Sequence, residues 1–132
     1  MTITNEGSVQ FTGNVYPASF TPTSSLAFKT NIRTFENALD TVNRLRGVRF
    51  DWKDSGQPAV GLIAEEVDQV VPEVVAHEGG TAKGVNYANL VAVLVEAVKE
   101  QQTTINRQQA ELDNLKGLKA KVERLEALLQ GR

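Results

Sequence analysis

The strongest pattern of apolar and polar positions lies in the last third of the chain. Starting at Leu94, the repeat runs through Val98, Gln101, Ile105, Gln108, Leu112 and Leu115 in alternating steps of four and three. One additional step of three leads to Leu118, after which Val122, Leu125 and Leu129 restore the alternation. Steps averaging 3.5 residues predict a left-handed coiled coil, and the additional step is a stammer that overwinds it locally. Asn86 is a good N-cap, and only Gly117 and Gly131 interrupt the helix-forming composition that follows. A helix over 86–132 would hold about 45 residues and reach roughly 68 Å at 1.5 Å per residue. The small head before it cannot cover that length, so the pattern predicts self-association. Gln101 and Gln108 would form polar layers in the seam. Such layers either set register and strand number or mark a loosely packed stretch near the head.

The middle of the chain, 26–85, reads as a small globular head. A helix is expected over 34–46, with Thr34 as N-cap, Glu36 in the first turn, and Phe35, Leu39, Val42 and Leu45 on one apolar face. Arg44 and Arg46 would lie at its negative end, and Gly47 would stop it. Residues 48–53 alternate as a half-buried strand, 54–58 form a turn cluster, and 60–63 return as its partner. Residues 64–71 predict a short helix with Val67, Val70 and Val71 inward, ended by Pro72. Segments 73–77 and 82–85 flank Glu78-Gly79-Gly80 as a second hairpin. Phe50, Trp52, Leu62 and Ile63 are the expected core.

Residues 1–25 contain no Lys or Arg and are rich in Thr, Ser, Asn, Gly and Pro. Val9-Gln10-Phe11-Thr12 and Asn14-Val15-Tyr16 alternate as short strands, broken by Gly13 and stopped by Pro17. A lone pair of such strands is marginal in water, so the segment reads as the stub of a larger β structure. The fold class expected is α+β: a head of short helices and hairpins over 24–85, preceded by a stub over 1–23 and followed by the long helix.

Composition narrows the function classes. The chain has 132 residues, 14 Lys+Arg against 16 Asp+Glu, and a formal net charge of −2. Without a basic run, nucleic-acid binding through phosphate neutralisation is not expected. There is no cysteine, and His77 is the single histidine, which excludes thiol chemistry and multi-His zinc sites. No metal or cofactor is expected. The most apolar stretch, 90–98, includes Glu96 and is about half of what a membrane span requires. Residues 1–10 carry no secretory signal pattern. Glu65, Glu66 and Asp68 read as a solvated helix face. Asp51-Trp52-Lys53-Asp54-Ser55-Gly56 lacks calcium-loop spacing, and Gly79-Gly80 lacks the Lys and Ser/Thr of a phosphate loop.

One pair remains. Ser24 and Lys29 lie five residues apart, and a lysine made neutral by burial can act as a base toward a serine hydroxyl. Lys29, flanked by Phe28 and Ile32, is expected to be partly buried. Spacing alone gives the pair little weight, because such pairs arise by chance.

The order of sequence blocks adds more. Lys29-Thr30-Asn31-Ile32, Glu36-Asn37-Ala38-Leu39, Leu45-Arg46-Gly47-Val48-Arg49-Phe50-Asp51-Trp52 and Gly61-Leu62-Ile63-Ala64-Glu65-Glu66-Val67 are followed by Pro72-Glu73-Val74-Val75. Gly84-Val85-Asn86-Tyr87 and the stretch 90–100 close the series. Together these blocks resemble the peptidase S74 family, the C-terminal intramolecular chaperone domains of phage tailspikes and tail fibres. The resemblance implies a homotrimer with a parallel coiled coil that helps an upstream β-rich fibre segment of the same polypeptide to trimerise and fold. It implies assembly in the host cytoplasm, with the fibre part ending in the virion tail. It also implies self-cleavage between Thr23 and Ser24, with Ser24 as nucleophile and Lys29 as general base. The trimer seam would be Leu94, Val98, Gln101, Ile105, Gln108, Leu112, Leu115, Val122 and Leu125. Two positions depart from the family pattern: Ser25 stands where an acid is usual, and Ala27 where an arginine is usual. An arginine there could stabilise a developing oxyanion, so its absence is expected to slow or abolish cleavage. The alternative is a trimerisation or adaptor module that does not cleave.

Overall fold

The computed structural model describes residues 15–131 throughout, together with the backbone of Thr2–Ile3 and Val9–Gln10. The chain divides into two units, Met1–Arg33 and Thr34–Arg132. In the first, β1 (Thr2–Ile3) and β2 (Val9–Gln10) pair antiparallel, Thr2 opposite Gln10 and Ile3 opposite Val9. The alternation at 11–14 lies outside the described residues. Val15 and Tyr16 carry no regular structure, so the second expected strand does not extend through them. The next regular element is a single 3-10 turn, Leu26–Phe28.

The second unit opens with α1 (Ala38–Arg44), which begins four residues later than Thr34 and ends before Arg46. Its start is set by a distant side chain. Asn37 takes the N-cap position in left-handed conformation, φ 55° and ψ 36°, without a side-chain cap bond. The two carboxylate oxygens of Glu100 instead accept the Ala38 and Leu39 N–H groups, each at 2.9 Å. A seven-residue helix has little stability of its own, so these charge-assisted bonds and its packing hold it. Leu39, Val42 and Leu45 pack against the core as the apolar face requires, whereas Phe35 lies ahead of the helix and is exposed. Glu100→Ala is expected to lower stability by about 2 kcal/mol, and Glu100→Gln, which keeps one acceptor, by about half as much. Denaturant midpoints at matched protein concentration measure both.

β3 (Val48–Asp51) and β4 (Pro58–Gly61) form the first hairpin, Val48 opposite Gly61 and Asp51 opposite Pro58. The return strand thus begins two residues before Val60. Gly56, at φ 67°, donates its N–H to the Trp52 carbonyl at 2.7 Å and closes the loop. Gly61 has a packing reason: a Cβ there would sit 2.8 Å from the Tyr87 hydroxyl. That hydroxyl accepts the Leu62 N–H at 2.9 Å.

The short helix α2 (Ala64–Asp68) stops three residues before Val71, and a 3-10 turn at Pro72–Val74 follows. β5 (Val75–Glu78) and β6 (Thr81–Val85) then pair across Gly79 and Gly80, both at positive φ (56° and 77°) as a tight two-residue turn demands. A bulge falls between Ala76 and His77. The final element, α3 (Tyr87–Gln130), runs 44 residues, with the Asn86 side chain accepting the Asn89 N–H at 3.3 Å. Gly117 does not break it, at a cost of about 1 kcal/mol relative to alanine.

The core is Ala38, Val67, Val71, Val74, Leu90, Val93 and Ala97, where the first turns of α3 meet α1, α2 and the second 3-10 turn. Val67 and Val71 point inward as expected, while Val70 is half-buried. The expected core of Phe50, Trp52, Leu62 and Ile63 is corrected. Trp52 is 56% exposed, and the other three are half-buried. Among the described residues their hairpin has only two strands, and of the four only Leu62 packs against the core cluster, so alternation there reports sidedness but not burial. The architecture is α+β: small hairpins, short helices and a long C-terminal helix.

Candidate functional site

The dyad is built by one capped turn. Ser25 Oγ accepts the Ala27 N–H at 3.2 Å, while the Phe28 and Lys29 N–H groups donate to the Ser25 and Leu26 carbonyls at 3.1 Å each. This 3-10 turn folds the intervening residues so that Lys29 Nζ donates to Ser24 Oγ at 2.8 Å. Sequence spacing gave the pair little weight, and the turn brings it into contact. Ser25, in place of the family's acid, serves as the cap of that turn. Ala27 contributes its N–H to the cap, and no arginine is there to face Ser24.

The expectation that Lys29 is partly buried is corrected. Ser24, Lys29, Phe28 and Ile32 are all exposed in the single chain, with none of the described residues of this unit burying the turn. Burial is what favours a neutral lysine, so a base role for Lys29 requires a cover supplied from outside this segment.

On α3, two stripes divide the work. Leu90, Val93, Ala97 and Glu100 face the head. Beside them Leu94, Val98, Ile105, Leu112, Leu115, Leu118, Val122, Leu125 and Leu129 remain between 48% and 69% exposed. Gln101 and Gln108 are exposed in the same stripe. An uncovered apolar strip of this length marks an interaction surface on a folded protein. Ion pairs at helical spacing, Lys116–Asp113 and Lys119–Glu123 at 3.8 Å each, lie along the same stretch.

In the head, a shallow concavity of about 650 Å³ is lined by Phe50, Trp52, Leu62, Ile63, Ala82 and Tyr87. The Phe50 and Trp52 rings meet edge to face, 5.1 Å apart. Glu66 is not a free carboxylate: Arg46 grips it with Nε at 3.1 Å from one oxygen and Nη2 on the other. Arg46 therefore turns to α2 rather than to the end of α1. The hydrogen bond from Arg46, aided by its charge, holds the Glu66 carboxyl below its ordinary range. The pair's contribution is accordingly present above the unfolded carboxylate pKa and lost as pH falls through the lowered one. Arg46→Gln is expected to move the Glu66 titration upward, read by carboxyl carbon NMR. His77 pairs with Asp68 at 3.1 Å. Sequence reasoning missed Glu100 and the Tyr87 hydroxyl, whose partners lie 62 and 25 residues away and leave no local pattern. Among the described residues no three His, Asp or Glu side chains converge as a metal site, and no helix is long and apolar enough to cross a membrane.

Comparison with known proteins finds similarity to phage tail fibre proteins. The long tail fiber protein Gp37 of Enterobacteria phage K3 is 32% identical over 98 residues, 67% of this chain but 8% of that protein. Gp37 of Enterobacteria phage T2 is 32% identical over 98 residues, 67% of this chain and 7% of that protein. Gp37 of Salmonella phage S16 is 26% identical over 117 residues, 80% of this chain and 16% of that protein. The chain therefore spans a small fraction of the length of the curated relatives it matches. The Peptidase S74 profile, described as chaperone of endosialidase, matches residues 24–76, so that it begins at the dyad serine and takes in α1, the first hairpin and α2. Through that segment the chain belongs to the Peptidase S74 family, the chaperone of endosialidase.

Proposed function

We propose that this chain is an intramolecular chaperone that trimerises and thereby folds an upstream β-rich segment of a phage tail fibre. The observation that carries this reading is α3, a 44-residue helix whose apolar seam from Leu94 onward is uncovered in the single chain. The S74 match and the tail fibre relatives supply the fibre as client. Residues 1–23, whose two-residue strands are marginal alone, are read as the downstream end of that fibre. Assembly takes place in the host cytoplasm, and the fibre joins the virion tail.

The physical logic is one of ordering in time. Strands that pair between chains cannot form until three chains are in register, and such non-local pairing is slow and prone to aggregate. A helical seam closes locally and quickly. It raises the effective concentration of the tethered segments to about the millimolar range. The head over 24–85 fixes where the fibre ends emerge, and the coiled coil over 86–132 holds three heads together.

Release follows by cleavage between Thr23 and Ser24, with Ser24 as nucleophile and Lys29 as general base. The 2.8 Å contact supports that assignment. Ser25, Ala27 and the exposure of Lys29 favour a second reading, a trimeric module that stays uncut. Light scattering with intact mass on freshly purified protein tests both at once. Three chains per particle support the chaperone reading, and a monomer overturns it. A fragment beginning at Ser24 supports cleavage, while an unchanging 14.4 kDa chain establishes the uncut module.

A further inference from the structure

The charges that flank the apolar stripe of α3 follow a pattern the single chain leaves unused. Glu111 immediately precedes Leu112, and Lys116 immediately follows Leu115. Beyond the stammer the signs reverse: Lys121 precedes Val122, and Glu126 follows Leu125. All four are exposed. Glu111, Lys121 and Glu126 have no ion pair among the described residues, and Lys116 reaches only Asp113, at 3.8 Å.

Self-association through that stripe, on which this inference rests, gives the pattern a meaning. Equivalent chains closed around a threefold axis run parallel. In a parallel coiled coil the residue before one seam layer lies beside the residue after the next layer on the neighbouring helix, five positions further along. Glu111 and Lys116 are five apart and opposite in sign, and so are Lys121 and Glu126. Slipping one chain by a heptad would set Lys121 against Lys119 of the neighbouring chain and leave Glu111 facing the neutral Gln109. The step from Leu115 to Leu118 acts in the same direction, because any slip sets the overwound stretch of one chain beside regular heptads of the next.

We propose that the flanks of the stripe receive a second copy of this chain, parallel and level, with Glu111 and Lys121 of one chain paired to Lys116 and Glu126 of the next as the contacts that fix register. Register at the helix reaches the client. A slip of one heptad displaces a head by about 10.5 Å along the axis. That equals about three residues of extended strand at ~3.3 Å each, so upstream strands pairing between chains would start misaligned. The helix thus sets both how many fibre ends meet and at what level.

The test uses the full chain. Sedimentation equilibrium gives the strand number and the assembly constant. A monomer overturns the chaperone reading and this inference together, whereas an assembly of any other number than three overturns the trimeric reading alone. Lys121→Glu and Glu126→Lys are then compared with the double variant that carries both. Within one helix each change is favourable, since it places an opposite charge three residues from Arg124 or from Glu123. A loss in the single variants therefore arises between chains. At low salt each single variant should lower the assembly constant by about tenfold or more over its several like-charge contacts, and the double variant should restore most of it. The losses should shrink in about 1 M salt. Register is read with a spin label at Thr103→Cys on the outer face, in a chain that has no cysteine of its own. Level, parallel chains give one short interchain distance. Single variants that assemble as tightly as the wild type, losses that the double variant does not recover, or a second, longer label distance overturn the register pairs and leave the chaperone reading standing.

Discussion

Replacing Ile105 and Leu112 by aspartate is expected to convert the proposed trimer to single chains. Both residues occupy the open stripe of α3, about 50% exposed in the single chain. Two carboxylates per chain would be driven into seam layers that admit no counter-charge, at several kcal/mol for each ion. Six such ions far exceed the roughly 12 kcal/mol that holds partners together at nanomolar affinity. Helicity should fall as well. Past Thr104 every described residue of the helix is exposed, and isolated helices are marginal in water. The head should survive, because its core draws on α3 only as far as Ala97, with Glu100 capping α1. Far-UV circular dichroism should therefore show a partial loss, with a cooperative transition remaining. Ala110→Asp with Asn114→Asp adds the same charge on the outer face and is expected to leave the trimer intact. A double seam variant that still sediments as a trimer would sink the proposed mechanism.

The long helix was legible because it is written locally. Asn86 caps it, Gly131 ends it, and the seam spacing sits between them. The second hairpin was legible for the same reason, since Gly79 and Gly80 supply the positive φ its turn requires. The start of α1 was not. Thr34 has the right chemistry for a cap, but the true acceptor is the Glu100 carboxylate, brought in by the packing of α3 on α1. Trp52 shows a related failure: alternation assigned it a side, and the described residues leave it more than half exposed. The dyad lies between these cases. Ser24 and Lys29 at five residues' spacing mean little until the Ser25-capped turn is drawn, and that turn is itself a local feature. Their exposure cannot be read from sequence at all, because what covers a segment is decided by its neighbours. Strand number belongs to the same class. The seam residues leave an apolar stripe uncovered, while the proposed number three comes only from the family resemblance.

Ser24→Ala is expected to abolish release completely while leaving the oligomer unchanged. In the proposed cleavage before Ser24, its Oγ would first attack the Thr23 carbonyl carbon. The Ser24 nitrogen would leave as an amine, an ester would join Thr23 to the Ser24 oxygen, and water would then hydrolyse it to a Thr23 carboxylate and a new N-terminus at Ser24. Lys29, placed 2.8 Å from that oxygen, would accept the hydroxyl proton and return it to the departing nitrogen. Removing a general base costs about 10² to 10⁴ in rate, so Lys29→Met should leave at most a slow residue of product. Lys29→Arg separates base from charge, because a guanidinium keeps its proton and should be as inactive as methionine. Ala27→Arg should raise the rate, by about tenfold or more, if a cation there meets the developing oxyanion. The exposure of Lys29 in the single chain adds a stricter condition, since a base role needs cover from outside this segment, which the proposed assembly would supply. Cleavage should therefore track assembly and vanish in the monomeric Ile105→Asp, Leu112→Asp variant although Ser24 and Lys29 are untouched. Intact mass over days of incubation reads every one of these outcomes. Equal cleavage by monomer and trimer would show that the dyad works without its neighbours and would remove the link between folding and release.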